Sequence, residues 1–232
     1  MKAAHLWVST ILLALIVIAP PGALGQTSIW YTERIHDFGG VGIDFEVYHD
    51  FKLFNRGVDT MKIDSVKVNC DCSTVSFLDS VLAPGDTVSF RLSFSTMNYY
   101  GRVSKAVRVW TSDPQAPKLE LFYLSTVGQW FYKVKPDPVS LFFLPGQKSR
   151  TAGVLNTAME ELVLDDIFVL DEGVISVTPT RSKAAQGERI ELEVRPSENL
   201  EPGTYLTNYR LSFDVPGDEP LLMTIPVRVV RY

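Results

Sequence analysis

From Phe45 onward the apolar residues fall on alternate positions. Phe45, Val47, His49, Phe51 and Leu53 take one side, and Glu46, Tyr48, Asp50 and Lys52 take the other. A period of two marks a strand with one buried face. Val88, Phe90, Leu92 and Phe94 repeat the pattern, as do Val103, Val107 and Val109, with Lys105 as an interruption. Further along, the same alternation runs through Ile190, Leu192 and Val194, then Tyr209, Leu211 and Phe213, then Leu221, Met223, Ile225, Val227 and Val229. Turn-forming Pro-Gly pairs at Pro84, Pro202 and Pro216 separate these runs, and no helical periodicity is sustained beyond the N-terminal segment.

The pattern occurs twice. Leu53-Phe54-Asn55 leads to Met61, Ile63, Asp64 and Val66, and Val154-Leu155-Asn156 leads to Leu162, Leu164, Asp165 and Ile167, offset by 101 residues. The offset grows to 102 at Gly85 and Gly187, and holds for Gly101 with Gly203 and Leu119 with Leu221. In both copies the apolar phase slips by one residue beside the acid, Asp64 or Asp165. Such a slip turns later side chains to the wrong face unless a bulge or a change of sheet absorbs it. The expected fold is all-β, with two tandem immunoglobulin-like β-sandwich domains of about seven strands each. Residues 26–128 are expected to form domain 1 and residues 129–232 domain 2, a divergent repeat of the first. Gln129-Trp130-Phe131-Tyr132 is too aromatic for a floppy linker and is expected to pack between the two.

The N-terminus stands apart. Lys2 precedes an apolar stretch from Leu6 to Ala19, then Pro20-Pro21-Gly22 and Ala23-Leu24-Gly25. This is the layout of a secretory signal peptide over residues 1–25, too short and too soon broken by proline to span a bilayer. Its removal takes Lys2 from a chain of 232 residues with 22 basic and 27 acidic groups, which leaves 21 against 27, or −6. A net acidic surface does not suit nucleic acid. The mature chain is expected to have no membrane span and to be extracytoplasmic, either periplasmic or secreted.

Several elements fall in a distinctive order: Asp37-Phe38-Gly39-Gly40-Val41, then His49-Asp50-Phe51 and Asn55-Arg56-Gly57, then Cys70-Asp71-Cys72-Ser73, Pro84-Gly85, and Thr111-Ser112-Asp113-Pro114. This order resembles a bacterial Ig-like family, domain of unknown function 1573, which is related to the ASH, Hydin and major sperm protein domains. The resemblance covers the first half of the mature chain. It implies a sandwich fold and an envelope setting, and it brings no known reaction. The family's Cys-Gly-Cys-Thr element carries Asp71 and Ser73 here in place of glycine and threonine.

Cys70 and Cys72 are the only cysteines, in a chain expected to meet an oxidising compartment. Residues two apart on an extended strand lie too far apart for a disulfide, so bonding them requires a local turn. Left as thiolates they would suit a soft metal such as Cu(I); bonded, they would lock a loop or serve as a redox element. By the 101 offset their counterparts are Asp171 and Gly173, so the fold does not require sulfur there. His49 sits in an apolar series as a core or rim residue, and His36 approaches it only through folding. Tyr99, Tyr100, Arg102, Arg108 and Trp110 lie in one loop and on one side of the following strand. That composition suits a binding hot spot.

No nucleophile-and-base constellation, calcium loop or phosphate fingerprint is present. No catalytic residue, metal or cofactor is expected. The expected function is a non-catalytic binding or structural module, with a protein or glycan of the cell envelope as partner. One alternative is a thiol redox or copper-handling protein acting through Cys70 and Cys72. Another is a periplasmic chaperone that lends the strand bearing Leu119, Leu121 and Tyr123 to a client.

Overall fold

The computed structural model describes residues 27–77, 81–128, 133–215 and 219–232. The expected signal segment and the Gln129–Tyr132 junction lie outside these residues. All regular structure in the described residues is β. The first nine strands are β1 (Ile29–Tyr31), β2 (Ile35–Val41), β3 (Glu46–Asn55), β4 (Met61–Val68), β5 (Ser73–Ser76), β6 (Val81–Leu82), β7 (Thr87–Ser95), β8 (Gly101–Thr111) and β9 (Lys118–Val127). The next nine are β10 (Val134–Asp137), β11 (Leu141–Phe143), β12 (Arg150–Asn156), β13 (Leu162–Val169), β14 (Ile175–Arg181), β15 (Lys183–Ala184), β16 (Arg189–Pro196), β17 (Gly203–Asp214) and β18 (Leu221–Arg231). Those beyond the seven expected per copy include pieces of two or three residues, such as β1, β6 and β15, too short to show a period.

Two four-stranded sheets, β1-β3-β7-β5 and β10-β12-β16-β14, have the same plan. Each packs on part of a ten-stranded sheet of order β15-β13-β17-β18-β2-β9-β8-β4-β6, with β11 beside β18. Two apolar cores result, one containing Phe38, Phe51, Phe90, Phe94 and Tyr123 and the other Phe143, Tyr209, Phe213 and Met223. The phase slip is a β-bulge in both copies: pairing jumps between Ile63 and Ser65 on β4, and between Leu164 and Asp166 on β13. Both strands continue in the same sheet, so the bulge alone restores the apolar face.

Asn55 and Asn156 are fully buried and do the same work. The Asn55 amide donates to Asp59 O (2.8 Å) and Leu82 O (3.0 Å), and its Oδ1 accepts from Gly57 N (3.0 Å). The Asn156 amide donates to Glu160 O (2.8 Å) and Ala184 O (2.8 Å), and its Oδ1 accepts from Ala158 N (2.9 Å). A side chain that satisfies three backbone groups, one of them fully buried, cannot be replaced by an apolar one without leaving them unpaired.

The two sandwiches are joined through β2, which pairs in parallel with β9 on one edge and meets β18 at Gly40 and Met223 on the other. Gly39 lies at this seam with φ +67, and a Cβ there would fall 2.1 Å from Leu222 O. The Phe-Gly element is thus explained: Phe38 fills the first core, and the bare backbone of Gly39 lets two sheet segments touch. Thr207 and Tyr209 face the second core, so Asn208 faces the other way, where its Oδ1 accepts from Tyr48 N at 2.6 Å. It caps an edge of β3 that β1 leaves uncovered. Tyr48, expected on the solvent side of its strand, is buried for this reason.

β9 lies between β2 and β8, with Leu121 and Tyr123 fully buried. The expectation that this segment is a strand for lending is therefore corrected, because both of its edges are already paired.

Candidate functional site

β4 ends at Val68, and the chain turns through residues 69–72 before entering β5. The turn brings the Cα atoms of Cys70 and Cys72 to 5.1 Å, and the two are joined as a disulfide. That distance lies within the usual range for such a bond. Both residues are half-buried, and Asp71 between them is exposed. The Tyr123 hydroxyl lies 3.8 Å from Cys70 Sγ and 2.7 Å from Ser73 Oγ, and Ser73 Oγ lies 3.8 Å from Cys72 Sγ. Each sulfur therefore has a hydroxyl beside it. Burial raises the Tyr123 phenol above its ordinary value, which keeps it a hydrogen-bond donor.

The second sandwich makes the same connection without sulfur. Val174 N and Ile175 N both donate to Asp171 O, at 2.9 and 3.1 Å, where the first sandwich has Ser73 N donating to Cys70 O. Ser197 N donates to Val174 O as Ser95 N donates to Cys72 O, each at 2.8 Å. The structural counterpart of Cys72 is thus Val174 rather than the Gly173 expected from a constant offset. This turn contains the extra residue that changes 101 to 102. A loop as short as Cys70–Cys72 gains only about 1.5 kcal/mol from closure, against about 3 for fifteen residues.

The expected aromatic patch divides. Tyr100 is 68% exposed and Arg102 is exposed, whereas Tyr99 packs against the first core with its ring 5.8 Å from Phe94. Arg108 and Trp110 lie six and eight residues further along β8, or about 20 and 26 Å at strand rise. Arg108 is held by Glu120 at 2.9 Å and Asn69 at 2.8 Å, and Lys67 covers the Trp110 ring at 5.7 Å. Hydrogen bonds from Lys118 and Arg108 lower the Glu120 carboxyl below its ordinary value. The five residues do not form one surface; Tyr100 and Arg102 remain together at one end.

Folding brings the two histidines together. Their rings stack at 3.5 Å between centroids and 14° between planes, both nearly fully buried. The expectation that only folding would bring His36 near is met through β2 and β3, which face each other across the first core. Glu33, not singled out by the sequence reading, places one carboxylate oxygen 2.8 Å from His49 Nε2 and 3.4 Å from His36 Nδ1. Its three-residue spacing from His36 was the available signal. Arg210 of β17 approaches His36 Nδ1 at 3.5 Å and donates to Asp37 O at 2.9 Å.

Glu33, His36 and His49 bring their donor atoms within 4.8 Å of one another. Near-parallel rings direct their in-plane lone pairs side by side rather than at one point, and Arg210 adds a positive charge. The arrangement is a poor fit for a divalent metal. Burial pushes the Glu33 carboxyl up, but its contacts with His36 and His49 outweigh that and hold it well below the carboxylate range. Burial lowers His36 to about 4, against the pull of Glu33 and assisted by His49 and Arg210. The cysteines are bonded to each other, so no site forms from both pairs.

In the second sandwich Asp137, Pro138, Arg150, Gly153, Arg189 and Glu191 line a cleft of about 370 Å3. Its Arg189 pairs with Asp137 at 2.6 Å. Among the described residues no helix is long and apolar enough to cross a membrane.

No curated protein matches the chain in sequence. Among solved structures, a protein of unknown function from Porphyromonas gingivalis W83 is similar at 13% identity, over 87% of this chain and 99% of that one, with a TM-score of 0.36. An ASH/PapD-like domain of human CEP192 is similar at 12% identity, over 53% and 97%, with a TM-score of 0.37. The E. coli chaperone DraB is similar at 11% identity, over 84% and 97%, with a TM-score of 0.36. Residues 29–123, which include the disulfide, the stacked histidines and Tyr123, match the family described as "Protein of unknown function (DUF1573)".

Proposed function

We propose that the protein is a non-catalytic module outside the cytoplasm that presents a fixed two-sandwich surface to a protein or glycan of the cell envelope. The observation that carries this reading is the construction of the joint. β2 is bonded on both edges, Asn208 caps β3, and Arg91 bridges Asp50 and Asp171 at 2.7 Å each. A joint so built holds two sets of loops in a fixed relation, which serves positioning and recognition rather than turnover. None of the polar groups described above is set as a nucleophile beside a free base. The extracytoplasmic setting rests on the leader pattern in residues 1–25.

Tyr100 and Arg102 combine exposure with hot-spot chemistry on this surface. The test is capture on the immobilised protein from native envelope extract, with wild type and a Tyr100→Ser, Arg102→Ser variant in parallel. A partner retained by the wild type and lost from the variant is the expected result. Equal retention by both, or no retained protein or glycan, would overturn the assignment.

A further inference from the structure

We propose that the Cys70–Cys72 disulfide is an exchange site, at which a protein dithiol of the same compartment is oxidised and this chain is reduced. Three observations lead there, and none depends on the binding role above. The first is that the turn does not need sulfur: Asp171, Val174 and Ile175 close the corresponding turn with backbone hydrogen bonds alone. The second is access, since both cysteines are half-buried at the end of a sandwich, beside an edge strand paired only with β7.

The third is the company the sulfurs keep. Ser73 pairs with Phe94 as Ile175 pairs with Pro196, and Tyr123 stands 102 residues before Ile225. The second sandwich therefore has isoleucine at both positions where the first has a hydroxyl. Lys105, in register with Tyr123 and with its ammonium 5.3 Å from the Tyr99 ring, stands 102 residues before the buried Thr207. Disulfide, two hydroxyls and a cation occur together in one copy and are all missing from the other. Hydroxyl donors stabilise a thiolate, the species released when a disulfide is opened.

The step balances as follows. A thiolate of the partner attacks one sulfur, the bond between Cys70 and Cys72 breaks, and its electron pair leaves with the other sulfur. Tyr123 or Ser73 donates a hydrogen bond to that leaving thiolate. The partner's second thiolate then attacks the mixed disulfide and frees the first sulfur. Two electrons and two protons pass from the partner to Cys70 and Cys72, and the partner leaves as a disulfide.

The test uses the purified chain in buffers of reduced and oxidised dithiothreitol, trapped by alkylation and read by intact mass, with near-ultraviolet circular dichroism recorded in parallel. The disulfide is expected to open while the dichroism of the folded state is kept. Tyr123→Phe and Ser73→Ala are each expected to slow exchange by about tenfold and to raise the thiol pKa, as loss of a charge-assisted hydrogen bond would do. Should Tyr123→Phe not fold, Ser73→Ala carries the comparison. Reduction that occurs only as the fold is lost, or exchange rates and thiol pKa unchanged in the folded variants, would overturn the proposal.

Discussion

Arg91 of the first sandwich donates to Asp171 of the second, and Asp171 stands where the first sandwich has Cys70. The same turn thus carries a disulfide in one copy and an inter-sandwich ion pair in the other. Hydrogen bonds to Asp50 raise the Arg91 guanidinium above its ordinary value, with Asp171 adding to them. The group is about one-third exposed, so solvent screening limits what the bridge contributes. Asp171→Ala is expected to cost about 1 kcal/mol and to make calorimetric unfolding less cooperative. A variant that melts as one sharp transition at the wild-type temperature would refute this role.

Gly39→Ala is expected to be far more damaging than an ordinary surface substitution. Its Cβ would collide with the Leu222 carbonyl, and its positive φ is one that L side chains rarely adopt. A loss of about 3 kcal/mol or more is expected in urea unfolding. A cost below 1 kcal/mol would show that the seam between β2 and β18 relaxes.

Asn55→Ala and Asn156→Ala are expected to cost about 3 kcal/mol each, because each strands the same three backbone groups. Urea midpoints of the two variants should fall together. A large loss for one and none for the other would mean that the shared geometry does not carry equal weight.

Much of this was legible in the chain. The repeat, the paired phase slips and the turn after Asn55 each follow from local rules of period, turn and bulge. The joint between the sandwiches was not legible, because the burial of Tyr48 depends on Asn208, 160 residues away. The histidine cluster was half legible: His49 lay in an apolar series, but its stacking on His36 needs two strands to face across a core. The hot spot read from Tyr99 to Trp110 failed as a unit because a strand extends its residues, and neither inward rotation of Tyr99 nor neutralisation of Arg108 can be seen in one dimension.

Acid is expected to weaken the fold through His36. An unfolded histidine takes up a proton near pH 6.5, whereas the folded one is held at about 4 by burial. Between those values the unfolded chain binds more protons, so stability falls as pH drops, by about 3 kcal/mol over the window. The depressed Glu33 carboxyl acts in the same direction, its share being lost as pH falls below the usual 4.5. Urea unfolding from pH 7.5 to 4 should show the decline, and His36→Phe should flatten it. Parallel profiles for the two proteins would exclude His36 as the cause.

Replacing both cysteines by serine is expected to cost at most about 1.5 kcal/mol, the closure term of so short a loop. Thermal melts of the double variant and the parent decide this. A collapse of the fold would mean that the bond is a staple the turn cannot lack.

β2 runs parallel to both of its neighbours, and this bears on how the molecule carries load. Tension drawn between Ile35, where β2 begins, and Arg231, where β18 ends, pulls these strands lengthwise past one another. The five paired positions of β2 with β9 and its one with β18 are then loaded in shear rather than peeled apart in turn. Resistance of the joint to stretching along this axis would therefore rest on β2, the strand that lies between the two halves of the large sheet.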